Sequence, residues 1–264
     1  MTLNLSRRIS AILSVALFLF AISDLRAGER VEFSADLVIL GETHDNPAHH
    51  ARQAQILRDL QPKAVVYEML TPQEASQLAG VPQMAKAIRQ ATTGFHWGNI
   101  GDYADVLVNS EVILGAALPR EVVRTAFKDG AANTFGDKAE LFGLTQALDP
   151  SELAERMQIQ FEGHCEAMPL EMMGGMVEAQ RLRDAHFARV LLDAARSYGT
   201  PVVLITGNGH ARTDWGVPRF LARVRPDLSV VSIGQSEGGV AFGAFDQVLD
   251  ADPVDRDDPC AAFR

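Results

Sequence analysis

The chain has 264 residues, a formal net charge of −10 and 47% hydrophobic residues. That length fits one large domain or two small ones, and the apolar share is enough for a sizeable core. The acidic balance excludes the basic footprint that nucleic acid or anionic lipid requires.

In chain order, the first element is an export signal. Arg7 and Arg8 precede an apolar run from Ala11 to Ile22, and Leu25-Arg26-Ala27 offers a small residue at a cleavage point. A positive n-region, a short h-region and an Ala exit read as a bacterial-type signal peptide over residues 1–27. The apolar run is about a dozen residues, short of the ~20 that a membrane span needs. No cysteine lies near the cleavage point to carry a lipid, so no stable membrane anchor is expected after cleavage. Loss of this segment removes three arginines and one aspartate and takes the net charge from −10 to −12. The mature chain is expected to be periplasmic or secreted.

Four short apolar runs then read as buried strands: Asp36–Leu40, Ala64–Tyr67, Val112–Ala116 and Val202–Ile205. Uninterrupted Val/Ile/Leu runs suit parallel strands covered on both faces. A fifth run, Ser229–Ile233, leads into Gly238–Phe245, whose alternating Val240 and Phe242 suggest a closing edge strand. Helical patterns between the runs predict an α/β fold, an open, mainly parallel sheet with helices on both faces. Residues 28–249 read as a single domain. Pro150 to Tyr198 breaks the rhythm between the third and fourth strands, as a helical insertion (about 150–198) that packs as a lid or partner surface. The acidic tail, 250–264, is expected to be poorly ordered. Cys165 and Cys260 are the only cysteines. They could pair in an oxidising compartment or stay separate, and two thiolates do not make a structural metal site.

In an open parallel sheet, ligands bind outside the carboxyl ends of the strands, where the loops diverge. The first strand exits into Gly41-Glu42-Thr43-His44-Asp45 and the second into Glu68. The third exits into Leu118-Pro119-Arg120, and the fourth into Gly207-Asn208-Gly209-His210-Ala211-Arg212. Glu42, His44, Glu68 and His210 therefore gather at one sheet edge, as a ligand-binding or catalytic site. Glu42 is available because Asp45 or Asn46 caps the next helix, with Pro47 at its first position. Glu68 ends a buried strand and needs a partner: Arg120, Arg212, a histidine or a metal. His49 and His50 read as solvated helix residues. Further on, Met176, Gln180, Asp184 and Phe187 share one helix face, which turns Gln180 and Asp184 inward toward a partner such as Arg120, His164 or a ligand. The methionines Met168, Met172, Met173 and Met176 read as core filler, with a flexible surface for a flat apolar ligand as the alternative.

These residues also carry a family resemblance. Gly41-Glu42-Thr43-His44-Asp45, Tyr67-Glu68-Met69, Leu118-Pro119-Arg120, His164-Cys165, Ala179-Gln180-Arg181-Leu182-Arg183-Asp184 and Gly207-Asn208-Gly209-His210 with Gly216-Val217-Pro218 occur in that order. The set resembles the ChaN-like haem-binding, iron-regulated family of the wider Tiki/erythromycin-esterase superfamily, from about Ala35 to Phe245. The resemblance implies an α/β domain that binds haem, a role in bacterial haem or iron uptake, and pairing of subunits around haem. It makes Arg120, Gln180 and Asp184 neighbours of the ligand site, and Arg212 at the fourth strand exit is a further candidate neighbour. Tyr103, His164 and His186 are the candidate haem ligands, with Tyr198 at the end of the same helical region. The alternative is a hydrolase, because superfamily relatives use a Gly-Glu-x-His loop, a strand-end Glu and a late His, matched here by Glu42, His44, Glu68 and His210. His44 or His210 would act as general base, or Glu42, His44 and His210 would hold a divalent metal. There is no Gly-x-Ser-x-Gly elbow and no His-Glu-x-x-His.

Overall fold

A computed structural model describes residues 34–261. The expected signal peptide, residues 1–27, lies outside the described residues. The order is β1 (Leu37–Glu42), α1 (Pro47–Leu60), β2 (Ala64–Tyr67), α2 (Pro72–Gln77), α3 (Ala85–Ala91), α4 (Ala104–Val108) and β3 (Ile113–Gly115). It continues with α5 (Arg120–Asp129), α6 (Ala131–Phe135), α7 (Pro150–Gly163), α8 (Met173–Tyr198), β4 (Val202–Gly207), α9 (Asn208–Ala211), α10 (Val217–Val224), β5 (Val230–Glu237) and β6 (Gln247–Ala251). No helix among the described residues is long and apolar enough to cross a membrane.

The six strands form one open sheet in the order β3-β2-β4-β1-β5-β6, and every pairing is parallel. The two central strands, β1 and β4, are almost wholly buried along their length, as their unbroken apolar runs require. Strand side chains alternate between faces. Leu37, Ile39, Ala64, Val66, Val202 and Leu204 therefore point to one side. There they pack with Leu182, Ala185, Phe187, Ala188 and Leu191 of α8. The insertion is thus not a detached lid: α8 buries a full face in the main core, and α7 packs outside it.

The edge strand departs from the expectation. Gly238 to Phe245 forms a turn and loop after a single bridge between Glu237 and Val240. The edge is β6, whose Asp250 side chain accepts hydrogen bonds from the Ser236 hydroxyl (2.7 Å) and the Gly239 N–H (2.6 Å). Beyond it, Arg256 clamps the tail onto the β1 exit, with Asp45 at 2.6 and 2.7 Å and Glu237 at 2.6 and 2.7 Å. Cys165 and Cys260 form a disulfide that ties the α7–α8 connection to that tail.

Candidate functional site

The register of two strands aims two carboxylates at opposite faces of one sheet edge. Glu42 shares a parity with Val38 and Leu40, and so points away from α8. Its Oε2 accepts from Gln53 Nε2 of α1 at 2.7 Å, and its Oε1 accepts from the Tyr103 hydroxyl at 2.5 Å. Glu68 shares a parity with Ala64 and Val66, and so points toward α8, where the Arg183 guanidinium binds its Oε1. Its Oε2 accepts from the Thr206 hydroxyl (2.5 Å) and the Gly207 N–H (2.8 Å). An unpaired carboxylate here would cost several kcal/mol, and Arg183 is the partner that Glu68 needs.

Two histidines close the gap between these groups. His44 Nδ1 lies 2.8 Å from Glu42 Oε1, and its Nε2 lies 3.9 Å from Glu68 Oε2. The carboxylate partner assigns the proton to Nδ1 and leaves the Nε2 lone pair facing the crevice. Gly207 allows this, since a Cβ there would sit 3.0 Å from His44 Nε2. His210 Nε2 lies 3.5 Å from Glu68 Oε1, while its Nδ1 bonds Asp184 at 2.5 Å, with the Gln180 amide 3.0 Å away. The Trp97 ring meets His44 edge-on at 5.0 Å, and Phe187 meets His210 similarly at 4.9 Å. The result is two carboxylate-tethered imidazoles on either side of a buried carboxylate.

The electrostatics follow from this packing. Burial works against charge on Glu68, but His210, Arg183 and His44 outweigh it and hold the carboxyl at about 2. Burial also opposes protonation of His44, yet the Glu42 hydrogen bond and the Glu68 charge leave its pKa raised. Asp184 is raised by burial, against the pull of His210. Tyr103 is raised far above the usual phenol by burial and by Glu42, so it stays a hydrogen-bond donor.

Glu42, His44, Glu68, His210, Gln180 and Asp184 therefore converge. Arg120 and Arg212 do not join them: Arg120 is exposed at the start of α5, and Arg212 binds Asp214 at 2.9 and 2.7 Å and stacks on Trp215 at 3.5 Å. His49 and His50, read as solvated, are buried. His49 accepts from the Thr43 N–H through Nδ1 (3.0 Å) and donates through Nε2 to the Ser236 carbonyl (3.2 Å). His50 donates to the His44 carbonyl at 3.0 Å and packs on the Tyr103 ring at 4.0 Å. Arg183, Gln53 and Thr206 escaped the sequence reading. Arg183 had a signal, because it sits three residues from Gln180 and so next to it on the same helix face.

The candidate haem ligands fall in three different settings. Tyr103 is fully buried, with its hydroxyl committed to Glu42. His186 is half-buried: its Nδ1 faces Arg189 at 2.9 Å, its ring also bonds the Ala116 backbone, and burial with Arg189 lowers its pKa to about 4. His164 is exposed at the end of α7, where its Nδ1 donates to the Gln160 carbonyl at 2.7 Å. Tyr198 is also exposed. Among the described residues, no three His, Cys, Asp or Glu side chains are grouped to hold a metal ion; Glu42 and His44 engage each other, while His210 is held by Asp184.

Comparison with known families decides the kinship. The family described as haem-binding uptake, Tiki superfamily, ChaN, matches residues 33–221. The chain belongs to this ChaN family. Among solved structures, its ChaN fold is similar to that of Campylobacter jejuni ChaN, a structure described as showing cofacial haem binding. The TM-score is 0.58 at 22% identity, over 81% of this chain and 86% of that one. The type III effector HopBA1 overlaps more loosely, with a TM-score of 0.41 at 11% identity, over 82% and 88% of the two chains. No curated protein matches this ChaN-family chain.

Proposed function

We propose that this ChaN-family protein binds haem at the corner between α7 and α8, outside the cytoplasm, in the uptake or handling of haem iron. The observation that carries the reading is an exposed apolar corner with a histidine on it. Ile159, Leu170 and Met172 are large, apolar and solvent-exposed, and His164 lies between them in the chain. Exposed large apolar groups on neighbouring stretches of the chain suit an interaction surface, and a flat macrocycle fits them. His164 would hold the iron through Nε2, because its Nδ1 is engaged by the Gln160 carbonyl at 2.7 Å. Tyr103 and His186 fit less well, since their polar atoms are already engaged. Bound haem would supply the iron. The chain's part would be to hold it, with His164 offering a nitrogen and Ile159, Leu170 and Met172 offering apolar cover. The Cys165–Cys260 disulfide supports an oxidising compartment.

His164→Ala is expected to weaken haem binding and to change the absorption spectrum of whatever complex remains. An unchanged spectrum and affinity would move the ligand elsewhere. Cell fractionation tests the location, with the protein expected in the periplasm or medium and a cytoplasmic protein counting against export.

A second reading, hydrolysis at the sheet edge, is favoured by the tethering of His44 to Glu42 and of His210 to Asp184 around Glu68. With its Nδ1 proton held by Glu42, His44 Nε2 would take a proton from water, and the raised pKa would help retain it. Ester-hydrolysis screening of wild type and His44→Ala separates the cases, because equal, negligible rates in both would exclude this role.

A further inference from the structure

Between α7, α8 and α10 lies a second cavity, of about 130 Å3, unlike the crevice around Glu68. It is lined by four arginines, Arg156, Arg181, Arg219 and Arg223, with Gln146 and Trp215 beside them. Two carboxylates pair with three of the four: Glu152 lies 2.6 Å from Arg156 and 2.7 Å from Arg219, and Glu178 lies 2.6 Å from Arg181. Asp184 also faces Arg156, but its carboxylate is engaged by His210. Among the described residues, Arg223 meets only neutral oxygens, the Leu141 carbonyl and Gln146 Oε1, both at 3.2 Å. It reaches them across Gly143, where a Cβ would sit 2.8 Å from its Nε and where φ is +73°. Arg156 is 94% buried, at 6% exposure, and its Nε has no partner among the described residues.

Gathering like charges in a recess is costly unless something negative is held there. It is conspicuous in a chain of net charge −10. Guanidinium forks match the oxygens of carboxylates and phosphates. The cavity falls short of the roughly 300–1,000 Å3 usual for drug-sized ligands, which leaves room for a small charged group and not for haem. The geometry points to a binding site for a small oxyanion, a phosphate or carboxylate group, held by Arg156, Arg219 and Arg223. The proposal does not rest on the haem reading, since none of Ile159, His164, Leu170 and Met172 lines this cavity.

Calorimetric titration of the full chain with inorganic phosphate, and separately with succinate, tests this, with ionic strength held constant by sodium chloride. Saturable binding of either anion is expected, and which one binds identifies the source of the oxyanion. Arg223→Gln should weaken it roughly tenfold or more, as the loss of a charge-assisted hydrogen bond does. Arg219→Gln, on an exposed side chain, gives an independent check should the first variant fold poorly. Both variants should bind haem as wild type does. Heats no larger than those with sodium chloride, or equal affinity in wild type and both variants, would overturn the proposal.

Discussion

At the scale of single residues, Glu68 holds the sheet edge together. It is nearly fully buried, and it is satisfied from three directions by Arg183, Thr206 and Gly207. Glu68→Ala is expected to lower unfolding free energy by about 3 kcal/mol, near the low end for breaking a buried pair because Arg183 can turn partly to water. Glu68→Gln keeps an acceptor for Thr206 and Gly207 and should cost less. Urea unfolding of the two variants compares them, and equal losses would contradict this account. The convergence of Glu42, His44, Glu68 and His210 was legible because each follows directly from a strand exit. Their partners were harder to read. His49 looks like a surface residue in its local pattern, and only a carbonyl 187 residues away, Ser236, explains its burial. Charge alone offered Arg120 or Arg212 as the guanidinium for Glu68, and Arg183 was missed because only its position on α8 brings it there.

At the scale of elements, unbroken apolar runs marked β1, β2 and β4 well, because two covered faces leave no polar position. The strand β6 gave no such signal. Its residues are mostly exposed or half-exposed, it lies in an acidic stretch, and pairing with β5 orders it. The tail beyond it is held by Arg256 and by the Cys165–Cys260 link, which closes a loop with a sequence separation of 95. Cross-links of such span stabilise by about 2–4 kcal/mol. Cys260→Ser, or reduction in dithiothreitol, should lower stability by that amount and release the tail from the α7–α8 connection, with Arg256 still holding it at the β1 exit. Denaturation midpoints that are the same with and without reductant would show that the link contributes nothing.

At the scale of the whole molecule, His186 and Glu68 are two of the groups that shape the response to acid. Burial with Arg189 depresses His186 to about 4, below its ordinary 6.5. The unfolded chain therefore binds more protons between these values, and stability falls as pH drops through that window. Glu68, held at about 2 against an ordinary 4.5, keeps its contribution above 4.5 and loses it as pH falls toward 2. His44, with a raised pKa, acts in the opposite sense: its contribution is complete below 6.5 and is lost above that. Thermal melts across pH should peak near 6.5, and His186→Gln should flatten the slope between 4 and 6.5. A wild-type profile flat through that interval would refute the assignment.

The most direct test of the central claim is a haem titration of the full chain followed at the Soret band. We expect a saturable shift that ends at a fixed ratio of haem to protein, weakened in His164→Ala and unchanged in His44→Ala. A linear, unsaturated increase that matches free haem in buffer would contradict haem binding by this protein.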